Sequence, residues 1–422
     1  MKAVIMAGGK GKRISSIASD IPKPMIKIEG KPILEHEILC LKEQGFTDII
    51  ITVSYLSEII MDYFNNGKEL GVNIEYFVEE KPLGNAGALY EIKDKLTDDF
   101  LLLNADSIFS VDINKIIKFH KDNNALASIL THPSSHPYDC GLISVDENKI
   151  VTNWYTKEDD RPIYYENKVN AGLHIINKKI LNDRPSTEKV DLDRQILKPL
   201  IKSKRLFAYN SFEYIKDMGT PERYEKVCRD FREKLVEKKN INNKQKAIFL
   251  DRDGTINKYV GFLKDINDFE LIEGVSQAIK LINDSEYLVI VVTNQPVVAR
   301  GEVSFEDLKM IHNKMETLLG NDGAYIDGIY VCPHHPDSGF PNEIKELKID
   351  CDCRKPKPGL LFKASKEYNI DLSSSWMIGD SENDILAGKN AGCKTVLIGN
   401  DDYKQDITSN NILDAVSIIL KK

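Results

Sequence analysis

Asp251 and Asp253 follow directly on the apolar run at 246–250 (KAIFL), with one residue between them. Two carboxylates so placed, just past a buried strand, can both face one phosphate. One is a competent nucleophile towards phosphorus, and the other can act as general acid and base. The same half of the chain supplies what that chemistry needs next. Thr293, in V-T-N-Q, ends another apolar run with a hydroxyl. Arg354 and Lys355, in R-K-P-K-P-G, bring cations, and Asp380 and Asp384, in I-G-D-S-E-N-D, bring further carboxylates.

A second cluster is of a different kind. Cys332-Pro333-His334-His335 and Cys351-Asp352-Cys353 give a Cys-x-His and a Cys-x-Cys pair. Four N and S donors of this kind suit a closed tetrahedral Zn²⁺ site with a structural role. Cys332, His334, Cys351 and Cys353 are the expected ligands. His335 is the spare, because adjacent residues rarely both reach one ion. The zinc would order the loop beside Arg354 and Lys355. The chain has seven cysteines, an odd and unevenly spaced set that argues against a disulfide framework.

The first half carries a third constellation. Gly8, Gly9 and Gly11 follow the apolar run at 2–6, with Lys10, Lys12 and Arg13 among them. Glycines let backbone N–H groups approach phosphate oxygens closely, and the basic side chains add charge. Pro22 and Pro24 fix the backbone around Lys23. Gly84 opens a second glycine-containing loop, and Asp106 ends the apolar run at 100–104. N-A-G (Asn170 and Gly172) and D-M-G-T-P (from Asp217) complete the series.

These residues need scaffolds, and the periodicity supplies two. Short apolar runs at 2–6, 48–54, 100–104, 127–131 and 171–176, then at 246–250, 287–293, 327–332, 375–379 and 394–398, alternate with helical patterns. That alternation predicts α/β folds with sites at the carboxyl ends of the strands. At 422 residues the chain exceeds the roughly 250–300 residues of a single core. The Lys/Asn-rich stretch at 233–245 is the expected linker between domains at 1–232 and 246–422. A packing strand and helix are expected at 400–422.

A net charge of −8 disfavours general binding to nucleic acid or to an anionic membrane. No apolar run approaches the roughly 20 residues of a membrane span. The N-terminus is too quickly charged for a signal peptide, so a cytoplasmic protein acting on small molecules is expected.

In its first 230 or so residues the sequence resembles the sugar-phosphate nucleotidyltransferases, through the five ordered motifs quoted above. The resemblance implies a Rossmann-like nucleotide-diphospho-sugar transferase domain. In it Gly8, Gly9, Gly11 and Gly84 border the nucleotide, and Arg13 and Lys23 contact phosphates. Asp106 and Asp217 hold Mg²⁺, Asn170 and Gly172 touch the sugar, and Lys157 is a candidate for the sugar phosphate. The reaction implied is attack of a sugar 1-phosphate oxygen on the α-phosphate of an NTP, with pyrophosphate leaving. S-D-I-P-K-P-M and P-L-G look most like the D-glycero-α-D-manno-heptose 1-phosphate guanylyltransferases. Lys12 and Asn85, each in place of a usual Thr, and Asn-Ala-Asp in place of Asn-Gly-Asp are departures that bear on base and sugar choice.

From 246 to about 400 the sequence resembles the haloacid-dehalogenase-like phosphohydrolases, and within them the D-glycero-D-manno-heptose 1,7-bisphosphate phosphatases. The histidinol-phosphatases are more distant. The likeness implies Asp251 as nucleophile, Asp253 as acid and base, and Thr293 and Lys355 on the phosphoryl group. It places Mg²⁺ on Asp251, the Asp253 carbonyl and Asp380, with Asp384 in support, and substrate on Asn294, Arg300 and Arg354. Residues 257–262 lack the usual acidic and His residues, and Gln295-Pro296-Val297-Val298 replaces a usual Ser-Gly-Ile segment.

Taken together, the halves imply a bifunctional enzyme. The phosphatase would leave a sugar 1-phosphate and the nucleotidyltransferase would consume it with GTP. The alternatives are another sugar or polyol phosphate with CTP or UTP, and a histidinol-phosphatase-like second half. A non-catalytic sensor fits poorly with so many retained acids and cations.

Overall fold

The computed structural model describes residues 1–9, 14 and 20–421. The glycine-loop residues Gly11, Lys12 and Arg13 therefore lie outside the described residues. The chain forms two compact α/β units. The first comprises Met1–His132, Ile143–Tyr155 and Asn170–Asn240; the second comprises Pro133–Leu142, Thr156–Val169 and Ile241–Lys422.

The first unit is built on a mixed sheet. Its centre is β1 (Ala3–Met6), flanked in parallel by β2 (Asp48–Val53) and β4 (Asp99–Asn104), with β3 (Asn73–Val78) beyond β2. β1, β2 and β4 read as nearly unbroken apolar runs because both their faces are covered, whereas the edge strand β3 is only partly buried. Against β4 runs β6 (Val169–Asn177) in antiparallel register, with Leu173 opposite Leu103. A separate two-stranded ribbon pairs β5 (Ser107–Ser110) with β7 (Tyr214–Asp217), placing Asp217 opposite Ser107. Thr220 then caps the helix Pro221–Arg232 through the Arg223 amide, with Pro221 in its first turn. Residues 235–240 pack on this unit rather than spanning a gap: Leu235 and Val236 are buried, and Asn240 Nδ2 donates to the Ser110 carbonyl at 3.1 Å.

The second unit has one parallel sheet of six strands. In order they are β10 (Gly328–Cys332), β9 (Tyr287–Asn294), β8 (Lys246–Leu250), β11 (Trp376–Gly379), β12 (Lys394–Ile398) and β13 (Ile407–Ser409). The first strand in sequence is central, and the order departs from it in both directions. That is a topological switch point, where the carboxyl ends of β8, β9 and β11 open a crevice. The end of the chain forms β13 and the helix Ile412–Leu420, as the sequence leads one to expect.

Two segments from the first half of the sequence complete this unit. Arg161 binds them together, donating to the carbonyls of Pro137, Tyr138 and Cys140. Lys157 pairs with Asp139. The Asn167 side chain ties back to the Ser134 backbone at 3.0 and 2.8 Å. They lie against α1 (Phe305–Asn321), which starts at a Ser304/Asp307 capping box. There the Thr317 hydroxyl takes both backbone groups of Tyr165, at 2.9 and 3.2 Å.

Candidate functional site

In the first unit a cavity of about 700 Å³ opens at the carboxyl ends of the central strands. Gly8, Gly9, Lys23, Gly84, Asn85, Asn104 and Asp106 are among its lining residues. The size suits a nucleotide-scale ligand. The Gly84 loop is pinned from behind, bridged to Val190, with the Ala86 amide donating to the Val190 carbonyl at 3.1 Å. Gly84 has φ +86°, and a Cβ there would lie 2.3 Å from the Val190 oxygen. Gly84→Ala is expected to cost about 2–3 kcal/mol from strain and displacement, seen as a lower denaturation midpoint of this unit.

Lys23 and both first-unit aspartates converge. Lys23 Nζ meets Asp106 Oδ2 at 2.6 Å, and the Met218 amide donates to the Asp106 carbonyl at 3.0 Å. Asp217 accepts from Arg223 Nη1 at 2.8 and 2.9 Å and from the Gly219 amide at 2.8 Å. Burial opposes its charge, but Arg223, the Gly219 amide and Lys23 outweigh that and hold its carboxyl below the usual range. Asp106 and Asp217 thus offer hard oxygen donors at one end of the ribbon, already neutralised by cations.

Asn170 and Gly172 sit on β6 beside Asn104. Gly172 has φ +76°, and a Cβ would approach Asn104 Nδ2 to 2.6 Å. Lys157 is not among the cavity-lining residues; its segment packs into the second unit, where Asp139 takes its ammonium.

Sequence reasoning missed two groups here. Glu37 is 1% exposed and accepts from the Ser107 amide at 3.2 Å, directly behind Asp106; burial pushes its pKa well up. Arg223 is the other. Neither lies in a glycine- or aspartate-rich turn, so no motif points to them.

In the second unit the switch point gathers the expected residues. Asp251 follows β8, Thr293 lies near the end of β9, and Asp380 follows β11. Lys355 Nζ lies 2.7 Å from Asp251 Oδ1, 2.5 Å from Asp384 Oδ1 and 2.9 Å from the Val292 carbonyl. Asn294 spends both ends of its amide on the Lys355 backbone, at 3.0 and 3.1 Å. It is therefore a residue that positions Lys355. Asp384 divides its oxygens. Oδ2 caps α2 (Glu382–Ala391) through Ser381, at 2.6 Å to the hydroxyl, and Oδ1 faces Lys355.

Burial, with repulsion from Asp384, pushes Asp251 up to about 7 despite Lys355, and the same causes push Asp380 up to about 6. Asp251, Asp380 and Asp384 each offer an oxygen within 4.8 Å of the others, a donor set that suits a hard divalent cation. Gly254 makes this possible: at φ +86°, its Cβ would fall 2.0 Å from Asp380 Oδ2. Replacing Lys355 by Met would leave Asp251 and Asp384 facing each other unpaired. About 3–5 kcal/mol of stability should be lost without added metal, read by urea denaturation.

Asp253 is held by a network that the sequence did not reveal. Its oxygens accept from Arg252 Nη2 at 2.8 and 3.0 Å, from Gln295 Nε2 at 2.8 Å and from Asn257 Nδ2 at 3.1 Å. Arg252 is fully buried and its other arm meets His312 Nε2 at 3.2 Å. Burial and Arg252 drive His312 down to about 3, so its ring is neutral.

The four expected zinc ligands come together. Their S and N atoms lie 3.2 to 3.7 Å apart along the cluster. Tetrahedral Zn–S bonds of about 2.3 Å require S–S separations of about 3.8 Å, so the cluster is close to ligation geometry. His335 stands apart and reaches Arg300 Nη2 at 3.2 Å. The Arg300 guanidinium is stacked between Phe262 and Phe340, at 4.1 and 4.6 Å, and Arg354 donates to the His334 carbonyl at 3.4 Å.

Residues 2–234 match the family model described as nucleotidyl transferase. The chain belongs to that family. In this nucleotidyltransferase, residues 352–416 also match the HAD-hydrolase-like model. It is 40% identical over 184 residues to a D-glycero-β-D-manno-heptose-1,7-bisphosphate 7-phosphatase of Haemophilus ducreyi, covering 98% of that protein and 42% of this chain. It is 29% identical over 231 residues to a D-glycero-α-D-manno-heptose 1-phosphate guanylyltransferase of Aneurinibacillus thermoaerophilus, covering 98% of that protein and 54% of this chain. A putative glucose-1-phosphate thymidylyltransferase from Bacillus anthracis, solved with a sucrose, shares the first fold at 22% identity and a TM-score of 0.50, over 54% of this chain and 94% of its own. The nucleotidyltransferase is thus joined in one chain to a HAD-like phosphatase, and both activities are enzymatic. Among the described residues, no helix is long and apolar enough to cross a membrane.

Proposed function

We propose that the chain performs two steps of NDP-heptose synthesis. The phosphatase removes the 7-phosphate of D-glycero-D-manno-heptose 1,7-bisphosphate. The nucleotidyltransferase joins the heptose 1-phosphate to the GMP moiety of GTP and releases pyrophosphate. One observation carries this: the relatives of the two halves are named for heptose phosphates, and the first reaction's product has the chemistry of the second's substrate.

In the phosphatase, Asp251 forms the new bond to phosphorus as the sugar C–O–P bond breaks at the P–O side. Asp253 protonates the departing sugar oxygen. It then takes a proton from the water that attacks the aspartyl phosphate and frees phosphate. Thr293 and Lys355 steady the phosphoryl oxygens. Mg²⁺ on Asp251, Asp380 and the Asp253 carbonyl would offset phosphoryl charge, and Zn²⁺ on Cys332, His334, Cys351 and Cys353 would brace the loop carrying Arg354. In the nucleotidyltransferase, Lys23 and the glycine loop orient the triphosphate and no covalent nucleophile is needed. Mg²⁺ on Asp106 and Asp217 would neutralise its oxygens.

The relatives' names carry opposite anomers, β for the phosphatase and α for the guanylyltransferase. Successive action within one chain requires one half to take the other anomer. The departures at 257–262 and 295–298 adjoin Asp253 and Thr293, and they favour altered substrate choice, another sugar or polyol phosphate included. The deciding experiment incubates the chain with Mg²⁺, each anomer of the bisphosphate and each of GTP, CTP, UTP and ATP, with products read by mass spectrometry. GDP-heptose from one anomer supports the reading. Free phosphate without any NDP-heptose reassigns the nucleotidyltransferase substrate, and no product at all overturns the heptose reading.

A further inference from the structure

Asn170 has a fixed amide. Its Oδ1 accepts from the Gly172 backbone N–H at 3.2 Å, which sets the orientation of the group. His174 Nε2 lies 3.1 Å from the same oxygen and so must carry the ring proton. His174 is 1% exposed, and burial, against a backbone hydrogen bond to Leu102, lowers its pKa to about 4, which keeps the ring neutral. With both donors on Oδ1, the Asn170 NH₂ can only point the other way, where Asp193 Oδ1 lies at 3.5 Å. That separation is long for a hydrogen bond. Burial and neighbouring Asp191 push the Asp193 carboxyl up to about 6, so a further hydrogen-bond donor would be welcome there.

The location is as informative as the geometry. Asp193 lies on the helical turn Leu192–Leu197, whose first amide donates to Asn85 Oδ1 at 2.8 Å, and Asn85 lines the cavity. Asn170 is two residues from Gly172, which abuts cavity-lining Asn104. A donor and an acceptor 3.5 Å apart thus stand side by side behind the lining residues Asn85 and Asn104, without lining the cavity themselves. A hydroxyl oxygen about 2.8 Å from each would accept from the amide and donate to the carboxylate. Sugar hydroxyls carry that dual character; phosphate oxygens do not.

We propose that Asp193 and the Asn170 amide form a hydroxyl-reading pair for the sugar of the sugar 1-phosphate, and that His174 is the positioning residue that aims the amide. This rests on the reading of the first unit as a sugar 1-phosphate nucleotidyltransferase. A site built to hydrogen-bond a hydroxyl loses binding and selectivity when one partner goes.

The test uses the full chain and steady-state kinetics with heptose 1-phosphate and with mannose and glucose 1-phosphates as comparison sugars. Asp193→Ala should raise KM for the preferred sugar 1-phosphate roughly 10–100-fold and flatten discrimination among the three, leaving KM for GTP and kcat within about 2-fold. Asp193→Asn, nearly isosteric, guards against misfolding. His174→Leu should give the same selective KM rise, and His174→Gln, whose amide can donate to Asn170, should restore most of it. An unchanged sugar KM in Asp193→Ala, or an equal rise in the KM for GTP, would overturn the proposal. If the wild type uses a comparison sugar but not heptose 1-phosphate, the heptose reading fails and this test proceeds on the sugar that is used. No turnover of any of them by the wild type, with every base, overturns the nucleotidyltransferase reading and this proposal with it.

Discussion

Asp251→Asn should abolish phosphate release and leave nucleotidyl transfer intact. The substitution keeps the shape of the side chain but removes the proposed nucleophile, and losses of about 10³-fold or more in kcat follow when a covalent nucleophile is deleted. The first unit holds its own cavity, its own cation–carboxylate pair at Lys23 and Asp106, and its own core, so its rate with heptose 1-phosphate and GTP should not move. Asp106→Ala should do the reverse. It removes the partner of Lys23 and one proposed metal ligand, with an expected loss of about 10²-fold or more in transfer. Both variants are assayed for both products, phosphate and pyrophosphate. Loss of both activities in either folded variant would contradict independent sites.

The second large effect concerns the thiolate cluster. Purified chain should contain one zinc by metal analysis. A strong chelator, or Cys351→Ser, should remove it together with most phosphatase activity. Cys332 is the last residue of β10, while Cys353 immediately precedes Arg354 and Lys355, so the ion would tie the sheet to the proposed substrate and phosphoryl cations. Without it, three thiols and an imidazole are left crowded, and the path of Lys355 between Asp251 and Asp384 rests on Asn294 and its own side-chain partners. For a unit of this size, about 3–5 kcal/mol of lost stability corresponds to a fall of roughly 10 °C or more in the phosphatase transition. Nucleotidyl transfer should survive. Full phosphatase activity in a zinc-free preparation would sink this assignment.

The strands were legible because buried parallel strands are short apolar runs, and all ten expected runs form strands within a residue or two. Much of the candidate phosphatase site was legible because Asp251, Thr293 and Asp380 sit at strand ends, where the chain must turn and the motif stays short. Two of the residues that sequence reasoning missed, Glu37 and His312, act across long separations. His312 meets Arg252 from 60 positions away. His174 is a lone histidine in an apolar strand and reads as core until its distance to Asn170 is known. Asn294 sits in a motif that suggests substrate, and its amide also fixes the Lys355 backbone. The membership of 133–142 and 156–169 in the second unit was hidden for another reason. Their attachment runs through backbone carbonyls, Arg161 and Thr317, and leaves no apolar periodicity to read.

Those two segments set a schedule for synthesis. They leave the ribosome roughly 140 residues before α1, the helix they lie on, and at about 5–20 residues per second that is a wait of roughly 7–30 s. During the wait the strands of the first sheet can pair, while the two segments stay tethered and solvated, joined to each other by Arg161. The phosphatase is therefore finished by chain that was made first and held in reserve. A gene split near residue 240 would deliver its second product without those pieces, and with the Thr317 face of α1 bare.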